Sequence, residues 1–398
     1  MTTDNKINKM MAWPIFLSFL CMGFGDVVGP LVGLVKESFQ IPTFQAQFIT
    51  FSGFIMFGVL SIPMGLLQDK KGKKFIMNLG LIIALVGLLV PVFSGMYGPK
   101  VDLANADESK FYALILSILL LGAGATTLQV VGNPIMRDVS REGKYSSNLS
   151  FAQSVKAIGS SLGFLLPPFA LKAFNLDWPV LFPIYSGLIF VNLLWFNSVK
   201  FEEKKSTSQT ASLASCFGLL GNGYVLAMVM AIFFYVGAEV SMSSSVPMLM
   251  KENFGITELG LMVSWALFFL PILFGRFMGG LILRKLKPGI FLFISVIISL
   301  AGLLAMFVES KELTFAGIVL IGLGFSNIFP LIFSMAIEKM PDRSNELSGL
   351  MVTAIVGGAL IPPVMGYVAD NVSLLVGFLV PMACVGYIAI ISIANLKK

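Results

Sequence analysis

Twelve stretches of this chain are apolar for long enough to cross a lipid bilayer. They lie at residues 12–35, 45–68, 74–97, 111–136, 147–171, 178–199, 222–250, 258–283, 288–308, 313–337, 347–369 and 372–395. A helix of about 20 apolar residues spans the hydrocarbon core. Backbone N–H and C=O groups find no water there, so each stretch is expected to be a helix that satisfies its own backbone. Composition agrees: 57% of residues are hydrophobic and 12% charged, whereas a soluble domain carries about a quarter charged residues. The expectation is an all-α membrane protein of twelve transmembrane helices. The first stretch follows a short polar arm and has no small-residue cleavage site, so it reads as a retained helix.

The basic pI, near 9.1, reflects orientation and not a nucleic-acid partner. With twelve spans both termini share one side. Nineteen of the 27 lysines and arginines fall on that side, six on the other and two within the membrane. Acidic residues show no such bias. This is the positive-inside pattern, and it places both termini in the cytoplasm of a bacterial-type inner membrane. The chain contains no histidine and three cysteines, Cys21, Cys216 and Cys384, without metal or redox spacing. The cysteines read as free packing thiols. No metal site or cofactor is expected. No nucleophile–base set or phosphate loop is visible, so neither is an enzyme.

A polar stretch from Lys200 to about Gly221 separates the first six spans from the last six. It is too polar to span and too short to be a domain, and reads as a cytoplasmic linker between halves at 1–199 and 222–398. The halves echo each other. Gly163-Phe-Leu-Leu-Pro167-Pro168 recurs as Gly358-Ala-Leu-Ile-Pro362-Pro363, offset by 195. Pro134 matches Pro330 at an offset of 196, and Asp26 matches Glu239 at 213. A six-plus-six duplication predicts a substrate site near the bilayer midplane, between halves that rock alternately.

After the second stretch comes Gly65-Leu-Leu-Gln-Asp69-Lys70-Lys71-Gly72-Lys73-Lys74, with a degenerate echo from Gly275-Arg276 to Gly289. This loop resembles the signature of the major facilitator superfamily, which implies that fold with two pseudo-symmetric six-helix halves and a monomeric unit. Further stretches resemble the fucose permease family of fucose, galactose and glucose:proton symporters: Gly25-Asp26-Val-Val-Gly-Pro30, Leu128-Gln129-Val-Val-Gly-Asn133-Pro134, Asn148-Leu-Ser-Phe-Ala-Gln153, Tyr235-Val-Gly-Ala-Glu239, Gly275-Arg276-Phe, and Ser348-Gly-Leu through Pro362. The resemblance implies proton-coupled import of a neutral hexose or deoxyhexose. Three positions depart from the pattern: Gln129 stands where the family carries Glu, Gly23 where it carries Asn, and Lys156 where it carries Asn.

Charge at membrane depth is costly and points to function. Asp26 is the first candidate for proton coupling, with Glu239 as a second proton site or an anchoring hydrogen-bond partner. Apolar surroundings favour the neutral acid, whereas a nearby cation favours the carboxylate. Lys156 shares a helical face with Gln153 and Ser160. It either pairs with Asp26, neutralises an anionic sugar, or snorkels to the interface. Gln129, Asn133, Gln153 and Asn327 offer amides suited to sugar hydroxyls, and Trp265 a ring for stacking. Polar groups can equally be glue between helices. Asp69, Lys73 and Arg276 are candidates for a cytoplasmic gate. Trp13 and Trp178, at segment ends, read as interfacial belt residues. The competing readings are an anionic-sugar transporter, a sugar uniporter, a drug efflux protein and a non-transporting sensor. Sodium stays open as an alternative coupling ion.

Overall fold

The structure is a computed structural model that describes residues 9–41, 48–96, 108–140, 143–199, 213–256, 260–308 and 310–396. Among the described residues twelve helices are long and apolar enough to cross a membrane: α1 (Trp13–Phe39), α2 (Phe48–Lys71), α3 (Lys73–Phe93), α4 (Glu108–Asp138), α5 (Tyr145–Phe174), α6 (Trp178–Ser198), α7 (Gly223–Phe254), α8 (Gly260–Ile282), α9 (Pro288–Ala305), α10 (Lys311–Lys339), α11 (Glu346–Ala369) and α12 (Leu374–Asn395). They coincide with the twelve apolar stretches. Large apolar side chains cover the outside, among them Phe93, Tyr112, Phe174 and Ile390. Such a surface would be an aggregation hazard in water and is what lipid requires. Trp13 is 63% exposed, as a belt residue would be, but Trp178 is buried, and its indole N–H donates to Ser38 Oγ at 2.8 Å. The indole fills a seam between α6 and α1 and does not face the headgroups.

Four helices are interrupted within their spans. In α1 the α-helix gives way to a 3-10 turn over Gly23–Val27. A π-turn occupies Trp265–Phe269 of α8. The two α-helical parts of α10, Lys311–Phe325 and Ile328–Lys339, are separated at Ser326 and Asn327. A 3-10 turn breaks α11 at Ala354–Val356. Irregular backbone at membrane depth is tolerated where protein or a polar cavity satisfies it, and such breaks collect at functional sites. The α1 break is held against α5 without side chains between them: a Cβ on Gly23 would strike the Lys156 carbonyl, and one on Gly159 the Leu20 carbonyl. Only glycine allows this approach.

The first six and last six spans are joined by polar contacts mainly at the basic end, where Lys70, Lys71, Arg137 and Arg284 lie. Ser146 and Ser334 share a hydrogen bond of 2.7 Å. Ser147 Oγ donates to the Gly280 carbonyl at 2.5 Å, Ser348 Oγ to the Val130 carbonyl at 3.0 Å, and Arg137 to the Pro341 carbonyl at 2.9 Å. At the opposite end Lys251 meets Glu37 at 3.6 Å, with both side chains mostly in solvent, so that pair adds little. The basic end is therefore the better sealed of the two. Residues 200–212 of the expected linker lie outside the described residues. Its remainder forms a short helix, Leu213–Gly218, and a 3-10 turn, Leu219–Gly221.

Candidate functional site

A central cavity of about 50 Å³ lies among these helix breaks. Its wall is built from both sets of six spans. Asp26 comes from the 3-10 turn of α1, Gln153, Lys156 and Ser160 from α5, Glu239 and Ser243 from α7, and Arg276 from α8. Three aromatic rings complete it: Phe54 of α2, Phe269 of α8 and Phe329 of α10.

The four charged groups form two ion pairs. Lys156 Nζ stands 3.1 Å from Asp26 Oδ2, and Ser160 Oγ donates to the same oxygen at 2.8 Å. Lys156 and Ser160 are four residues apart on α5, so one helix face presents both donors to one carboxylate. The second pair joins Arg276 Nη2 to Glu239 Oε1 at 3.0 Å. The Arg276 side chain is 7% exposed and that of Glu239 21%. Arg276 Nε also donates to the Ser326 carbonyl at 3.0 Å, and Nη1 to the Gln153 carbonyl at 3.5 Å. One guanidinium thereby satisfies a carbonyl freed by the α10 break, a carboxylate on α7 and a carbonyl of the first six spans. The planar fork of arginine suits this shared role better than a lysine ammonium would. Tyr235 Oη donates to the Phe325 carbonyl at 2.9 Å, satisfying a second carbonyl at the same break.

Asp26, Glu239, Gln153 and Lys156 thus meet at one cavity. Arg276, expected at a cytoplasmic gate, lies instead in the cavity wall. It sits six residues before the end of α8, about 9 Å from it, next to Gly275, which packs directly against Ser326 at the α10 break. Lys73 forms an ion pair with Asp138, which ties the start of α3 to the end of α4 within the first six spans. Asp69 lies at the basic end of α2. Gln129 and Asn133 are 1% and 0% exposed and pack between helices, away from the wall. Gln129 Nε2, Asn133 Nδ2 and Oδ1 and Gln153 Nε2 have no hydrogen-bond partner among the described residues. Asn327 donates to the Gly275 carbonyl at 2.7 Å and to Ser326 Oγ at 2.8 Å, so its amide stitches the α10 break to α8 and does not face the cavity. Trp265 opens the π-turn but is not in the wall. Phe269, four residues on, takes that place and packs against Phe164 of α5 with ring centroids 4.5 Å apart.

Residues 15–363 match the Major Facilitator Superfamily, and the chain belongs to that family. It is 26% identical over 410 residues to a glucose/galactose transporter of Brucella abortus biovar 1 (strain 9-941), covering 100% of this chain and 97% of that protein. It is 22% identical over 423 residues to an L-fucose-proton symporter of Haemophilus influenzae (strain ATCC 51907 / DSM 11121 / KW20 / Rd), covering 94% and 93%. The fold matches the crystal structure of FucP, a major facilitator superfamily transporter in the outward conformation, with a TM-score of 0.76 at 20% identity, over 98% of this chain and 99% of that one.

Proposed function

We propose that this member of the Major Facilitator Superfamily is a secondary active transporter. In this reading it imports a neutral hexose or deoxyhexose, of the fucose, galactose or glucose type, together with a proton. The observation that carries the reading is the charge balance of the cavity. Two acids and two bases line it, each acid bonded to a base. Fixed charge is neutralised within the wall, so the cavity has no net attraction for a charged solute. What remains for a ligand is a set of hydroxyls and an amide (Ser160, Ser243 and Gln153) with rings at Phe54, Phe269 and Phe329. Hydroxyl-rich, ring-shaped solutes suit that combination. The relatives named for glucose, galactose and fucose:proton transport support the same substrate class.

The anionic-sugar reading needs an uncommitted cation. Lys156 is bonded to Asp26 and Arg276 to Glu239, which favours the neutral substrate. The coupling step is written on Asp26. A proton from outside water joins its carboxylate, Lys156 loses its counter-charge, and the neutral acid crosses to the inward-facing state, where the proton is released. The halves at 1–199 and 222–398 rock about the cavity, with the linker and both termini on the basic, cytoplasmic side. A single copy in the lipid bilayer carries the whole path.

The test is sugar-induced proton movement in proteoliposomes of the purified protein, with L-fucose, galactose, glucose, N-acetylglucosamine and a uronic acid in turn. External alkalinisation with at least one neutral sugar, and none with the uronic acid, is the expected result. Sugar flux with no proton movement would leave a uniporter and end the proton-coupled reading.

A further inference from the structure

The carboxylate assigned to the coupling ion already holds a cation. Lys156 Nζ and Ser160 Oγ both occupy Asp26 Oδ2, at 3.1 and 2.8 Å. The ammonium has little freedom to leave. Its side chain is 14% exposed, and α5 is packed backbone to backbone against α1 from Lys156 to Ser160, through Gly23 and Gly159. The other charged groups of the cavity, Glu239 on α7 and Arg276 on α8, are committed to each other. The neighbouring α4 and α7 present Ala125 and Ser243 to the α1 turn, neither of them charged.

A proton and a sodium ion add the same charge to this pair, so charge alone does not separate them. They differ in volume and in ligands. A proton adds to a carboxylate oxygen and needs no further room. A metal cation needs several oxygens around it at once, and here the ammonium fills that side of the carboxylate. We propose that Lys156 is the residue that sets ion selectivity: its tethered ammonium stands in for a metal cation on Asp26, excludes sodium, and leaves the proton as the coupling ion. The inference rests on Asp26 as the coupling residue and narrows that reading to one ion. The resembling proton symporters carry Asn at this position together with the helix-four Glu that Gln129 replaces here, so the exclusion belongs to this chain's own pairing: without that Glu, a neutral side chain at 156 would leave the Asp26 carboxylate and the Ser160 hydroxyl facing the cavity with no cation between them.

Two measurements on the full-length protein test this. The first is the thermal unfolding midpoint in NaCl against choline chloride at equal ionic strength. The second is uptake of galactose, glucose and L-fucose into proteoliposomes driven by a sodium gradient at equal pH on both sides. The wild type and Lys156→Arg are expected to be indifferent to sodium in both. Lys156→Gln is expected to gain a sodium-dependent rise in midpoint and uptake several-fold above the choline control, and Asp26→Asn/Lys156→Gln to lose both gains. A sodium-driven wild type, a sodium-responsive Lys156→Arg, or a folded Lys156→Gln blind to sodium would overturn the proposal. The wild-type and arginine arms can overturn it even if the glutamine variant does not fold, and Lys156→Met then takes the place of the glutamine variant with the same expected gain. The midpoint measurement needs no sugar, so a failure of the sugar:proton reading, seen as absent proton movement, is separate from a failure of cation exclusion.

Discussion

Arg276 and Glu239 face each other at 3.0 Å across the α7–α8 seam, and the same guanidinium fastens the α10 break through the Ser326 carbonyl at 3.0 Å. Removing one partner of a buried pair leaves an uncompensated charge, typically at a cost of about 3–5 kcal/mol. Arg276→Gln is therefore expected to lower the unfolding midpoint strongly and to weaken sugar transport. Glu239→Gln/Arg276→Gln should recover part of the loss, because no lone charge remains. If the double variant is as unstable as Arg276→Gln and Glu239→Gln added together, Arg276 acts through the Ser326 and Gln153 carbonyls and not through Glu239.

Asp26 carries the coupling in the reading above. A pH gradient of about one unit supplies about 1.4 kcal/mol per proton, enough for about tenfold accumulation of sugar. Asp26→Asn should abolish that accumulation while sugar exchange continues, since asparagine keeps an oxygen for Ser160 and Lys156. Counterflow and gradient-driven uptake, measured on the same proteoliposomes, separate the two. Undiminished accumulation would move the coupling away from Asp26.

The linker remnant offers a probe of the basic end. Ser215 Oγ donates to Glu346 Oε1 at 2.5 Å, and Arg343 donates to both Glu346 and the Ser215 carbonyl. The clasp holds Cys216 buried, and burial pushes its thiol up to about 11, with the Glu346 charge adding to the effect. Only the thiolate reacts, so near pH 8 maleimide labelling of Cys216 should run about a hundredfold slower than that of an exposed thiol. Glu346→Ala removes two of the clasp's three bonds and the neighbouring charge together, leaving only Arg343 on the Ser215 carbonyl, and labelling should accelerate. The measurement uses a background in which Cys21 and Cys384 are replaced by serine.

The spans were legible in the sequence because the bilayer dictates their length, and Asp26, Lys156 and Glu239 stood out because charge at that depth has few bland explanations. The rest depended on features that spacing does not encode. Arg276 lies within two turns of the basic end of α8, and spacing does not encode that this part of α8, at Gly275 and Gly279, packs against the α10 break. Trp265 and Phe269 are the first and last residues of the π-turn, where regular helical spacing does not apply, and only Phe269 reaches the cavity wall. Asn327 falls in a helix break, where a freed carbonyl and a serine hydroxyl use its amide. Gln129 and Asn133 do share one face of α4, but periodicity does not say whether that face meets a cavity or another helix. Ser160 was visible only as a neighbour of Lys156, and its bond to Asp26 needed the third dimension.

Alternating access requires the basic end to open, and the contact between Ser146 of α5 and Ser334 of α10 stands in the way. Their hydroxyl oxygens are 2.7 Å apart and buried, a separation at which two cysteine sulfurs can close a disulfide after a small adjustment. Ser146→Cys/Ser334→Cys in a background without the native cysteines should therefore cross-link under mild oxidation. Transport should stop on oxidation and return with reductant. Sugar should still bind to the oxidised protein from the opposite end, because the cavity lies beyond the cross-link. Binding is read by quenching of intrinsic tryptophan fluorescence, and transport by counterflow. If the cross-linked protein still carried sugar, the α5–α10 seam would not be the inner seal, and the path would have to leave along another pair of helices.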